Sequence, residues 1–119
     1  MVHCRILIPV FAVLAAMVSG PASGEGFLTA YEDLPLPPGL TEEAGTALVF
    51  DSAAGRIVEA MAHGSVKPAE VLKFYAVTLP QLGWTRDSDT RYRRETEVLR
   101  LEASPEGRGV AVRFNVSPE

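Results

Sequence analysis

Pro68-Ala69-Glu70-Val71-Leu72-Lys73-Phe74-Tyr75-Ala76-Val77-Thr78-Leu79-Pro80-Gln81-Leu82-Gly83 is the stretch on which the fold turns. Val71, Phe74, Tyr75, Thr78, Leu79 and Leu82 recur at the spacing of one face of a helix, so the segment predicts a single amphipathic helix. Pro68 suits the first helical position, where its missing N–H has no partner to lose, and Glu70 sets a negative charge near the positive end of the helix dipole. Pro80 cannot donate to the carbonyl of Ala76, so the last turn must kink or restart there. Gly83 is a natural stop.

Strand patterns flank this helix on both sides. Upstream, Ala47-Leu48-Val49-Phe50 is rich in strand formers, and Arg56 to Ala62 reads as a second strand. Asp51-Ser52-Ala53-Ala54-Gly55 between them is turn chemistry, because Asp suits the first turn position and Gly tolerates a left-handed backbone. Downstream, Trp84 leads into a polar turn from Arg86 to Thr90, and Arg91 to Arg94 begins another extended run that Glu95-Thr96 connects tightly onward. Leu99, Leu101 and Ala103 alternate with Val98, Arg100 and Glu102, the period of a half-buried strand. After the turn Ser104 to Gly109, Val110, Val112, Phe114 and Val116 alternate with Ala111, Arg113 and Asn115. The order β-β-α-β-β-β predicts an α+β two-layer sandwich, an antiparallel sheet of about five strands with one helix on one face.

Residues 46–119 make up this domain, and 25–45 differ from it. The earlier segment holds five acidic residues (Glu25, Glu32, Asp33, Glu42 and Glu43), no basic one, and the run Leu34-Pro35-Leu36-Pro37-Pro38-Gly39-Leu40. Proline fixes φ and biases the residue before it toward extended geometry, so an acidic, proline-rich arm is expected, its leucines packed along the domain surface. Its likeness to a PxxP docking peptide is superficial.

Residues 1–24 have the order basic, apolar, small that the secretory route reads: Arg5, an uncharged run from Ile6 to Val18, then Ser19-Gly20-Pro21-Ala22-Ser23-Gly24. The run of about 13 residues is shorter than the ~20 that span a bilayer and contains Pro9, so a cleaved signal peptide is favoured over a retained anchor. Cleavage before Glu25 fits the small residues Ala22 and Gly24. No twin-arginine pair is present, and the single cysteine, Cys4, precedes the apolar run, where it cannot be a lipidated cleavage-site residue. The expected location is periplasmic or extracellular, by the general secretory route.

With the leader removed, about 95 residues remain, without cysteine and therefore without disulfides or thiolate chemistry, and one core is the natural count. Loss of Arg5 moves the formal charge from −4 to −5, with ten basic against fifteen acidic residues. A net negative domain repels phosphate backbones, so nucleic acid is excluded as a partner class.

Gly55-Arg56-Ile57-Val58-Glu59-Ala60, then Phe74-Tyr75 with Leu79-Pro80-Gln81-Leu82-Gly83-Trp84, and later Tyr92 and Arg94, resemble the pattern of small exported bacterial α+β domains of uncharacterised activity. The resemblance runs from about Phe50 to Val116. It implies a fold and an envelope location, and it carries no activity, ligand or functional residue with it.

Chemistry-bearing residues are few. His63 is the one histidine beyond the leader, placed between a strand end and Gly64-Ser65, but a serine triad needs an oriented acid and an oxyanion hole, and no Gly-x-Ser-x-Gly elbow is present. One histidine with scattered carboxylates has no metal-site spacing. Asp87-Ser88-Asp89 opens like a calcium loop, yet Tyr92 and Val98 stand where its glycine and closing Glu belong. Glu59 and Glu102 could be opposed as an acid pair, a weak signal in any acidic chain. Phe74, Tyr75, Trp84 and Tyr92 cluster near the helix end, where core packing is the first reading, with Trp84 and Tyr92 held open as a groove.

Arg91, Arg93, Arg94, Arg100 and Arg113 concentrate positive charge in the second half, and alternation sets Arg100 and Arg113 on the face opposite the helix. A ladder with Glu59, Glu95, Glu97 and Glu102 is the plain reading of these arginines, and an acidic partner the functional one. Arg100, Arg113, Trp84 and Tyr92 together form the candidate interaction surface. The expected function is a non-enzymatic envelope module binding a protein partner or small ligand, without cofactor or metal. A small hydrolase using His63 with nearby carboxylates, and an exported enzyme inhibitor, are the alternatives.

Overall fold

The computed structural model describes residues 26–119; the expected leader over residues 1–24 lies outside the described residues. In chain order the elements are β1 (Phe27–Leu28), β2 (Tyr31–Pro35), β3 (Leu40–Glu42), β4 (Leu48–Ser52), β5 (Gly55–Gly64), α1 (Pro68–Gln81), β6 (Thr85–Ser88), β7 (Arg91–Arg94), β8 (Glu97–Glu106) and β9 (Gly109–Pro118). β1 and β2 pair as a separate two-stranded sheet. The main sheet has seven strands in the order β3-β5-β9-β8-β7-β6, with β4 on the same edge of β5 as β3, further along it. Every pairing in it is antiparallel.

The α+β reading holds, and the strand count rises from five to seven for two physical reasons. β6 occupies most of the stretch read as a polar turn: Thr85 opposes Arg93, Arg86 opposes Tyr92, and after a bulge Ser88 opposes Arg91. Thr-Arg-Asp-Ser has no apolar alternation, so its pairing is supported by cross-strand ion pairs that no periodicity reveals. β3 comes from the segment read as an arm, where Leu40, Thr41 and Glu42 oppose Gly64, His63 and Ala62. Its prolines make a turn rather than an extended arm. Leu40 N–H donates to Pro37 O at 3.1 Å, and Gly39 takes the left-handed φ of 87° that this reversal needs.

The arm's leucines lie inside the fold. Leu28, Leu34, Leu36 and Leu40 join the same buried cluster as Val71, Tyr75 and Leu79 of α1. One helix is about 10 Å across, whereas six strand positions span about 29 Å, so α1 alone leaves most of its sheet face wet. The β1–β2 hairpin and the turn after it cover the remainder. From below, the layer is met by alternate residues of β5, β8 and β9, among them Val58, Ala60, Leu99, Leu101, Val112 and Phe114. Tyr75 donates its hydroxyl hydrogen to Pro35 O at 2.7 Å, tying helix to arm, and burial raises that hydroxyl's pKa.

The helix ends as its sequence requires. Leu82 and Gly83 N–H groups donate to Leu79 and Pro80 carbonyls at 2.9 and 3.2 Å, Trp84 N–H returns to Leu79 O at 3.1 Å, and Gly83 sits at φ 94°. Among the described residues no helix is long and apolar enough to cross a membrane.

Two substitutions test this packing. Leu79 is fully buried on the helix face, so Leu79→Ala should lower stability by about 2–5 kcal/mol in urea melts; a loss under about 0.5 kcal/mol would show that this face does not carry the core. A Cβ at Gly64 would stand 1.9 Å from Gly39 O, a backbone atom that cannot step aside. Gly64→Ala should therefore lower stability by about 3 kcal/mol, while Gly26→Ala, with open space around it, stays within about 0.5 kcal/mol of the parent.

Candidate functional site: the uncovered sheet face

Helix and hairpin cover one face of the main sheet, and the other face is open. Register assembles its rows. Arg91 on β7 opposes Arg100 on β8, Arg100 opposes Asn115 on β9, and Asn115 opposes Glu59 on β5. One row along, Glu102 opposes Arg113, which opposes Met61. All of these but Met61, together with Ser88 and Thr90, border a shallow concavity of 570 Å³ on the open face.

Positive charge in this concavity is only partly compensated. Arg91 Nη1 donates to Asp87 Oδ2 at 2.9 Å, and Arg93 grips the same carboxylate with two bonds of 2.8 and 3.0 Å. The Arg93 hydrogen bonds, aided by the charges of Arg93 and Arg91, hold the Asp87 carboxyl below its usual range. Arg113 Nε lies 3.6 Å from Glu102 Oε1, an exposed pair of little energetic weight. Arg100 differs: its one polar contact is Ser117 Oγ at 3.5 Å, and among the described residues no carboxylate lies within ion-pair distance of it. Like charges directly opposite each other on neighbouring strands repel. The face thus holds an arginine pair, Arg91 and Arg100, of which one has no counter-charge.

The expected ladder is realised at Arg113–Glu102, while Glu59 accepts from Asn115 Nδ2 at 3.0 Å. Glu97 lies on the covered face, where Tyr31 donates to its Oε1 at 2.6 Å. Glu59 and Glu102 both border the concavity, each engaged by a neighbour rather than poised as an acid pair.

Trp84 and Tyr92 do not join Arg100 and Arg113. Their relative exposures are 3 % and 0 %, and both belong to the core cluster on the covered side. The reason is register: Tyr92 opposes Leu99, an inward residue, and so faces inward itself. Trp84 packs under Arg94, whose guanidinium carbon is 4.6 Å from the ring centroid. An aromatic groove at this junction is therefore replaced by packed core.

The structure brings His63 between two carboxylates that sequence reading did not pair with it. Its Nε2 is 3.0 Å from Glu43 Oε1 and its Nδ1 is 3.2 Å from Glu106 Oε1. Each ring nitrogen faces a carboxylate oxygen, an arrangement in which both can donate only when the imidazole is protonated. Asp87 is held by Arg91 and Arg93, and Asp89 by Arg86, which leaves the Asp87-Ser88-Asp89 turn engaged by guanidinium groups. Only the fold brings these charges together; 43 residues separate His63 from Glu106.

The hydrogen bond to Glu106, followed by the charges of both carboxylates, raises His63 above its ordinary 6.5. A raised folded-state value means the clamp stabilises the protein below pH 6.5 and loses that contribution as pH rises through the shifted value. An NMR titration of the imidazole should give a midpoint above 6.5, and Glu106→Gln should bring it back toward 6.5. A midpoint at or below 6.5 in the parent chain would show that the clamp does not form in solution. Compared with protein-family models, with curated proteins and with solved structures, the chain finds no match in any of the three.

Proposed function

We propose that this chain is an exported, non-enzymatic binding module of the bacterial envelope that holds a carboxylate-bearing protein partner against the arginine pair of its open sheet face. The observation that carries the reading is the Arg91–Arg100 opposition, with Arg100 lacking a counter-charge among the described residues and standing at a concavity large enough to admit an acidic side chain or loop. Two guanidinium groups opposed on neighbouring strands cost stability rather than add to it. A partner carboxylate between them removes the repulsion and gains charge-assisted hydrogen bonds that are bidentate when geometry allows. The leader-like order of residues 1–24 supports the export half of the reading.

Stability and binding should separate at Arg100. Arg100→Glu removes the repulsion with Arg91, so the melting midpoint should hold or rise, within the roughly 0.5 kcal/mol typical of surface changes. The same substitution should abolish in-cell crosslinking of a C-terminally tagged chain to the partner captured by the parent. A variant that melts like the parent and still captures that partner would remove Arg100 from the binding surface, and with it the reading.

A further inference from the structure

The two edges of the main sheet are built differently. At one edge β6 is Thr-Arg-Asp-Ser, carries a bulge between Arg86 and Ser88, and has its charges paired across to β7. Charge and a bulge are the usual means by which a sheet edge avoids further pairing. At the other edge, β3 is guarded: Thr29 N–H and Oγ1 both bond the Glu42 carboxylate at 3.0 Å. Among the described residues β4 has no such guard. It pairs with β5 on one side only, and Leu48, Val49 and Phe50 are 53 %, 51 % and 49 % exposed. Leu48 and Phe50 stand on the open face beside Glu59 and Ile57, and Val49 on the opposite face beside Val58. The strand is thus apolar on both faces, uncharged over these three residues, and free of proline.

We infer that β4 pairs with β4 of a second copy of this chain, antiparallel about a two-fold axis through Val49, joining the two sheets edge to edge. The occupant is identified by what β4 demands of its mate: apolar side chains on both faces at successive positions. β4 itself supplies them. A two-fold through Val49 sets Val49 against Val49, and Leu48 against Phe50 twice, so each of the three meets an apolar residue. An axis through Phe50 would set Asp51 against Val49, and one through Leu48 would set Thr46 against Phe50. Symmetric, self-complementary contacts of this kind close as dimers. A strand of five residues offers far less than the roughly 800 Å² per partner of a permanent complex. The dimer is accordingly reversible and concentration-dependent. This inference concerns an edge distinct from the arginine-bearing concavity and does not rest on the reading of that surface.

Sedimentation of the exported chain between about 10 and about 500 µM should show mass rising from one chain to two. Phe50→Lys and, separately, Leu48→Lys should hold the chain monomeric across that range while helix signal and melting midpoint are retained. Val49→Cys should form a disulfide-linked dimer under mild oxidation, since directly opposed Cα atoms in an antiparallel pair lie within disulfide reach. Leu48→Cys and Phe50→Cys, which do not meet themselves across the axis, should not. A parent chain that stays monomeric at every concentration overturns the inference, as does a dimer that survives both lysine variants or in which Val49→Cys fails to crosslink.

Discussion

A helix about 10 Å wide cannot cover a sheet about 29 Å wide, and that mismatch organises the molecule. One amphipathic helix between strands can dry only the middle of one sheet face. The rest must be covered by chain from elsewhere or left wet, at a loss of stability proportional to the apolar area exposed. Residues 26–40 supply the missing cover. Their buried leucines complete the layer, and Tyr75 anchors them through its hydrogen bond to Pro35 O. A segment whose composition reads as an arm is in this sense the second half of the helical layer.

Arg94 is the joint between the two halves. The last turn of α1 contains no basic residue to meet its free carbonyls, and Arg94 reaches over from β7 to donate to Leu82 O at 3.0 Å. The same guanidinium lies over the Trp84 ring and donates to Tyr31 Oη at 2.9 Å and Asp33 Oδ2 at 3.3 Å. Tyr31 passes its own hydrogen to Glu97, and burial, reinforced by that bond, pushes the Tyr31 hydroxyl up to about 12. Helix end and hairpin thus share one cation carried by β7. Its partly buried position makes these charge-assisted bonds stronger than their surface equivalents.

What was legible in the chain followed from period. Val71, Tyr75 and Leu79 are spaced for a helix and are buried, and Val110, Val112, Phe114 and Val116 alternate and face the core. The same parity correctly set Arg100 and Arg113 on the open face. What period could not show was pairing without hydrophobic alternation. β6 is polar throughout, and β3 follows a proline run that reads as extended chain. Register between distant strands was equally hidden. That Arg91 opposes Arg100, that Tyr92 follows Leu99 inward, and that His63 meets Glu43 and Glu106 all depend on which residues are neighbours across the sheet. The strand read over Ala47 to Phe50 is present as Leu48–Ser52, taking in two residues read as turn, but a run of consecutive apolar residues looks the same at an edge as in an interior.

Departures from local consistency mark where a fold is serving something other than itself. The covered face has two, the buried Trp84 Nε1 and Tyr92 hydroxyl, which find no hydrogen-bond partner among the described residues, whereas Tyr31 and Tyr75 find theirs. The others lie elsewhere. The Arg91–Arg100 opposition lies on the open face, and the exposed apolar run Leu48-Val49-Phe50 of β4 lies at a sheet edge with neither a bulge nor, among the described residues, a guarding contact. Neither contributes to the core, since Arg100 is exposed and Leu48, Val49 and Phe50 lie outside the buried cluster. A sequence selected only for folding would replace one of the two arginines with an acid and set a lysine in β4, as charge pairing and edge protection both favour. That both features persist side by side on the half of the molecule left uncovered by helix and hairpin is the physical reason to look for recognition there rather than in the helical layer.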